Sequence, residues 1–139
     1  MVEPIEEELI EEILVNTKRI AIVGMREQGD AGRIPRYLID AGFEVVPVNP
    51  NFQEVFGIAA LGSLDDLDAP VDMVQLFRRS GDVPMHIDEI LRARPRYVWM
   101  QTGITNEEAA QTFREAGIAV VQDRCLMTEH RRRSIANLS

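Results

Sequence analysis

The chain has one cysteine, Cys125, and two histidines, His86 and His130. An internal disulfide is excluded, and too few ligands remain for a zinc site. No apolar run approaches the length needed to cross a bilayer, and the opening MVEPIEEELIEE is acidic where a secretory signal would be basic and then apolar. We therefore expect a cytoplasmic protein that does not engage a membrane. Positive charge is also scarce: 15 Lys and Arg stand against 23 Asp and Glu, for a net charge of −8. The backbone of a nucleic acid rewards dense positive charge, so nucleic-acid binding is not expected. An anionic small molecule remains open, given a local cluster of arginines. Catalytic signatures are missing as well. No histidine follows a strand-like run, no serine sits in a G-x-S-x-G elbow, and no carboxylates cluster as metal ligands. A binding module fits better than an enzyme, and no catalytic or metal-ligating residue is assigned.

What the chain does have is 139 residues with an ordinary share of apolar (45%) and charged (27%) side chains, enough for a single domain over 1–139 with a sizeable core. Its organising stretch runs from Lys18 to Leu38. Ile20 to Val23 is an apolar run of strand length, of the kind buried on both faces of a parallel sheet. Gly24 follows at once, and Gly29 and Gly32 add positions where backbone can approach a ligand closely. Ile34, Tyr37, Leu38 and Ala41 recur with helical spacing, and Pro35 suits a first turn. Strand, glycine loop and helix start form a ready anion site, because unpaired N–H groups and the helix dipole point at the loop. The glycine spacing matches neither G-x-G-x-x-G nor the P-loop pattern, and Asn49 stands where a dinucleotide site wants an acid for the ribose.

The remaining elements follow in order. Residues 4–15, within an N-terminal segment 1–16, read as an amphipathic helix with Ile5, Leu9, Ile10, Ile13 and Leu14 inward and an acidic outer face. Gly42 caps the first sheet helix, and Glu44 to Val48 is a strand in which Pro47 tolerates only a short outer neighbour. Ile58 to Leu61 is the candidate for that neighbour. Val71 to Phe77 is a strand, and Val83 to Arg92 a helix with Asp82 as N-cap. Tyr97 to Met100 is a strand. Thr105 and Glu108 suggest a capping box for a helix over 106–116, ended by Gly117. Ile118 to Val121 is the last strand, and 131–139 a polar tail. Alternating strands and helices predict an α/β, Rossmann-like, doubly wound parallel sheet in a three-layer αβα sandwich. Numbering the strands in chain order, the expected arrangement is 3-2-1-4-5-6, with strand 3 short.

Ligands of such sheets bind beyond the C-terminal strand ends. The residues there are Gly24, Met25 and Arg26; Asn49 and Pro50; Phe77, Arg78 and Arg79; Gln101, Thr102 and Gly103; and Asp123, Arg124 and Cys125. Arginines follow three of these ends, and Arg33 and Arg36 flank the first helix start, a distribution that suits phosphate groups. Each also has a plain reading: surface arginines pair with carboxylates, Phe77 and Trp99 belong to a core, His86 is structural within its helix, and Cys125 is a buried, inert thiol.

The segments VVPVNPNFQEVFG, PVDMVQLFRRS, VWMQTGITNEEAA and AGIAVVQDRCLMTEH, in this order and with the first loop covering Lys18 to His130, resemble the small stand-alone CoA-binding proteins. That family is itself similar to the CoA-binding domain of the succinyl-CoA synthetase α-subunit. The resemblance implies a Rossmann-like domain holding coenzyme A, or an acyl-CoA, across the sheet edge. Gly24, Met25 and Arg26 would meet the phosphate-bearing part, and Val48, Asn49 and Pro50 would border the nucleotide. Phe77 and Arg78 would line the adenine side, and Gln101, Thr102 and Gly103 would approach the phosphates or pantetheine. Asp123, Arg124 and Cys125 match the closing motif. The first loop is shortened to REQGDAGRIP, with Arg33 standing in for the arginine of the family's longer loop. The synthetase's phosphorylated histidine lies in a domain outside this resemblance, so ligase activity is not carried over. The alternatives are a subunit or remnant of an acyl-CoA ligase-type enzyme with a protein partner, an NAD(P)-binding oxidoreductase domain, and a regulatory module that senses CoA. A homodimer is left open.

Overall fold

Strands that are apolar along their whole length must be covered on both faces, and that requirement organises the molecule. The computed structural model describes residues 3–138, with side chains over 6–133. The ends of the expected N-terminal segment and polar tail, residues 1, 2 and 139, and the inward position of Ile5 lie outside the described residues. The elements in order are α1 (Glu3–Asn16), β1 (Arg19–Val23), α2 (Asp30–Asp40), β2 (Glu44–Val48), β3 (Glu54–Val55), β4 (Ile58–Ala59), β5 (Met73–Leu76), α3 (Ile87–Ala93), β6 (Tyr97–Met100), α4 (Glu107–Glu115), β7 (Ala119–Val121) and α5 (Leu126–Leu138). Short 3-10 turns occupy Leu64–Asp66 and Ser80–His86.

β2-β1-β5-β6-β7 form a five-stranded sheet in which every pairing is parallel. On one face Ile10, Ile13, Ile34, Leu38 and Leu126 of α1, α2 and α5 pack on Ile20, Ile22, Met73 and Trp99. On the other, Ile90 of α3 and Ala109, Ala110 and Phe113 of α4 cover Ala21, Val74, Leu76 and Val98. The expected three-layer αβα sandwich is present. Trp99 is fully buried, and its indole N–H donates to the Arg124 carbonyl at 2.8 Å.

The expected third strand is a correction. Ile58–Ala59 pairs antiparallel with Glu54–Val55 in a separate hairpin, and only Leu61 makes a parallel bridge to Val48. The sheet therefore ends at β2. This disposes of the difficulty with Pro47: its carbonyl accepts from Leu61 N–H on the outer side, so its missing donor also faces outward and costs β1 nothing. Three boundaries move as well. Pro84 has no N–H to give, and Ser80–His86 tightens into a 3-10 turn, so the helix starts only at Ile87; Asp82 pairs with Arg79 (3.3 Å) and caps nothing. Asn106, not Thr105, caps α4, its side chain accepting from Ala109 N–H at 2.9 Å, while Thr105 N–H donates to Ser80 Oγ. The stretch read as a polar tail continues α5 to Leu138.

Candidate functional site

All five sheet strands run the same way, so their C-terminal ends share one edge. β1 ends at Val23 and is followed by Gly24, whose φ of 87° favours glycine and whose N–H donates to the Val48 carbonyl at 2.9 Å. A Cβ there would collide with the Phe77 carbonyl oxygen, so the loops leaving β1 and β5 touch at this glycine. Met25 next turns its side chain wholly into the core and presents only backbone to the edge. Its carbonyl accepts from Asn49 Nδ2 at 3.0 Å, and Asn49 Oδ1 accepts from Asn51 N–H. Asn49, 7% exposed, thus ties the first loop to the second and puts an amide, not a carboxylate, where a dinucleotide site would hold a ribose.

The loop then folds back onto its own helix. α2 begins at Asp30, which puts Pro35 past the first turn, and this differs from its expected place. Pro35 has no N–H for the Ala31 carbonyl, and that carbonyl accepts instead from Arg26 N–H at 3.1 Å. Gly32 lies beneath the loop, where a Cβ would run into the Glu27 backbone. Glu27 in turn accepts from Phe56 N–H at 2.9 Å, anchoring the β3–β4 hairpin. Arg33 points outward and pairs with Asp30 at 2.9 Å. Arg26 is exposed and has no carboxylate partner among the described residues.

After β5, Phe77 is half-buried against the α2 side of the core. Arg78 runs past Gly24, its Cδ 3.4 Å from where a Cβ would stand there. Its Nε donates to His86 Nε2 at 3.2 Å, and like Arg26 it has no carboxylate partner among the described residues. Ser80 carries the edge on to the β6 loop, since its hydroxyl lies 3.4 Å from the Gly103 carbonyl and accepts from Thr105 N–H. Gly103 N–H donates to Asp123 Oδ1 at 2.6 Å. Gln101 is buried; its Oε1 accepts from Gln75 Nε2 and from Leu126 N–H at the start of α5. Thr102 and Pro50 are exposed, and Val48 is buried.

The structure thus joins Gly24, Met25, Val48, Asn49, Phe77 and Arg78 into one group at the β1–β5 crevice, and sets Gln101 to Gly103 beside it. Arg124 is placed apart, in an ion network with Glu6, Glu7 and Glu129 at 3.3–3.6 Å that staples α1 to α5. A cleft of about 470 Å³ separates that network from Thr102, with Cys125 on its wall. Cys125 is only partly buried, unlike its expected reading. Burial pushes its thiol pKa up, but the Thr128 hydroxyl and N–H, the Gln101 side chain and Met127 N–H outweigh this and hold it below the usual thiol value. A larger cavity, about 760 Å³, opens at the opposite edge by Arg94, Arg96 and Tyr97 and includes none of the candidate residues. Sequence reasoning set His86 aside as structural; its link to Arg78 crosses a proline-bearing turn whose shape no local pattern announces. Among the described residues no three His, Cys, Asp or Glu side chains converge as metal ligands, and no helix is long and apolar enough to cross a membrane.

Against known proteins, residues 18–131 match the model of a family described as CoA binding domain. The Bacillus subtilis (strain 168) protein YneT is 40% identical over 123 residues, covering 87% of this chain and 91% of its own. A Thermus thermophilus protein of solved structure is 43% identical with a TM-score of 0.86, over 91% of this chain and 97% of that one. The dinucleotide-forming acetyl-coenzyme A synthetase 1 of Ca. Korarchaeum cryptofilum shares the fold at 23% identity, with a TM-score of 0.69 over 79% of this chain and 26% of that one.

Proposed function

Because the chain belongs to the CoA binding domain family, we propose that it binds coenzyme A or an acyl-CoA along the C-terminal edge of the sheet, as a binding module without chemistry of its own. The observation that carries this reading is a pair of guanidinium groups without carboxylate partners among the described residues in a protein of net charge −8: Arg78, which runs past Gly24, and Arg26, farther along the same glycine loop with a terminal nitrogen beside Gly29. Charges left uncompensated on an acidic molecule are suited to a ligand that brings its own anions, and guanidinium grips phosphate through parallel N–H groups.

In this reading Gly24 and the backbone of Met25 let the diphosphate approach, with Arg26 and Arg33 on its flank. The exposed Arg33–Asp30 pair is weak enough to exchange for phosphate. Val48, Asn49 and Pro50 border the nucleotide, Phe77 and Arg78 line the adenine side with the Arg78 guanidinium turned to a phosphate there, and Gln101, Thr102 and Gly103 lie toward the phosphates or pantetheine. Arg124, committed to three glutamates, holds the closing segment in place.

Calorimetric titration with CoA, acetyl-CoA, NAD and ATP tests the assignment. CoA or acetyl-CoA is expected to bind in preference to NAD and ATP. Arg26→Ala and Arg78→Ala should each weaken CoA binding by about 1.5–3 kcal/mol, the size of a lost charge-assisted hydrogen bond. Unchanged affinity in both variants would overturn the site, and preference for NAD would overturn the ligand.

A further inference from the structure

An arginine that serves an anion needs to be held still without being neutralised. A carboxylate partner satisfies the first need and defeats the second. Arg78 has a different partner, the imidazole of His86, which accepts from its Nε at 3.2 Å. His86 is only 8% exposed, and its other ring nitrogen lies 3.0 Å from Glu89 Oε2. A carboxylate accepts only, so Nδ1 carries the proton and Nε2 presents the lone pair that the guanidinium uses. Glu89 is fixed in turn: its Oε1 accepts from Leu64 N–H at 2.8 Å and from the Ser63 hydroxyl at 3.2 Å. Support runs from the 3-10 turn Leu64–Asp66, through the first turn of α3, to the arginine at the strand edge. Both terminal nitrogens of Arg78 stay free of protein acceptors among the described residues.

We propose that His86, oriented by Glu89, is the positioning residue for Arg78: a neutral imidazole that aims the guanidinium beside Gly24 while leaving its charge for a phosphate of the ligand. The proposal rests on the coenzyme A reading and goes beyond it, because it assigns a role to two residues that touch no ligand. The arrangement also predicts which bond specifies which. The Glu89 carboxylate sets the tautomer, the tautomer sets the acceptor, and the acceptor sets the rotamer of Arg78.

Two measurements test it. Nitrogen-15 spectra of the unliganded protein at neutral pH should show His86 as the neutral Nδ1–H tautomer; the Nε2–H tautomer or an imidazolium would overturn the proposal without any variant having to fold. In CoA titrations, Arg78→Ala should weaken binding about tenfold or more, and His86→Ala by a smaller factor, about three- to tenfold. The Arg78→Ala/His86→Ala double variant should bind no more weakly than Arg78→Ala alone, and His86→Gln, which keeps an acceptor near the Nε2 position, should restore most of the loss. A His86→Ala penalty of the same size with and without Arg78 would mean that His86 acts through packing and not through Arg78. Absence of CoA binding by the wild-type protein would fail the ligand reading and the positioning role together; binding with an uncoupled pair would fail the positioning role alone.

Discussion

His130 shows how a single side chain couples the closing helix to the first crossover helix. Its Nδ1 lies 2.7 Å from the Tyr37 hydroxyl, and its ring makes edge contacts with Tyr37 and Phe43 at centroid distances of 5.6 and 5.3 Å. Burial holds its pKa below the ordinary histidine value. Protonation is then easier in the unfolded chain than in the folded one. The stability that follows is present in full above about pH 6.5 and is lost as pH falls through the lower, folded-state value. Melting temperature should therefore drop on mild acidification, and His130→Gln should flatten that slope in thermal scans from pH 7 to 5. An identical slope in the variant would place the titrating group elsewhere. At this scale the sequence was only half legible. Position after a strand correctly put Gly24, Arg78 and Gly103 at one edge, but it does not say which way a side chain turns: Met25 and Gln101 go inward, and Arg124 goes to glutamates 117 or more residues before it and one five residues after it.

At the scale of elements, the first loop and its helix are one unit. Arg26 N–H on the carbonyl freed by Pro35, and Glu27 backbone laid against Gly32, leave no room for a side chain between them. Glycine to alanine inside a helix ordinarily stabilises by up to about 1 kcal/mol. At Gly32 the sign should reverse, with a loss of about 1–3 kcal/mol from overpacking. Gly81, where a Cβ would meet nothing within 4 Å, supplies the contrast: Gly81→Ala should stay within about 0.5 kcal/mol. Urea unfolding of both variants checks the pair, and equal effects would show that the loop can lift off the helix. Element type was readable from periodicity because an apolar run or a helical stripe is a property of the residues themselves. Element limits were not, since they depend on where a hydrogen bond is missing. Pro84 delays α3 and leaves the Ser80 carbonyl, four residues before it, to Asn106 Nδ2, and Pro47 turns its bare nitrogen outward toward the side where Leu61 meets its carbonyl, so each limit involves a partner in another segment.

For the whole molecule, a net charge of −8 opposes any polyanionic ligand at long range, while the arginines at one edge favour it at short range. Salt near the physiological level screens charges beyond about 8 Å, so the distant repulsion fades and the local contacts decide. Binding to the folded state alone must then appear as stability. At free ligand a hundredfold above Kd the gain is about 2.7 kcal/mol, which for a domain of this size corresponds to a melting shift of roughly 5–15 °C. CoA should produce that shift and NAD should not. Unliganded Arg78→Ala should melt slightly below the wild type, because it leaves the nearly buried His86 Nε2 without its donor, and it should also gain less at the same CoA concentration. A variant that gained as much from CoA as the wild type would make Arg78 part of the fold and not of the site. A wild type shifted by NAD and untouched by CoA would mean that the same sheet edge, with Asn49 tied to the first loop, has been turned to another nucleotide.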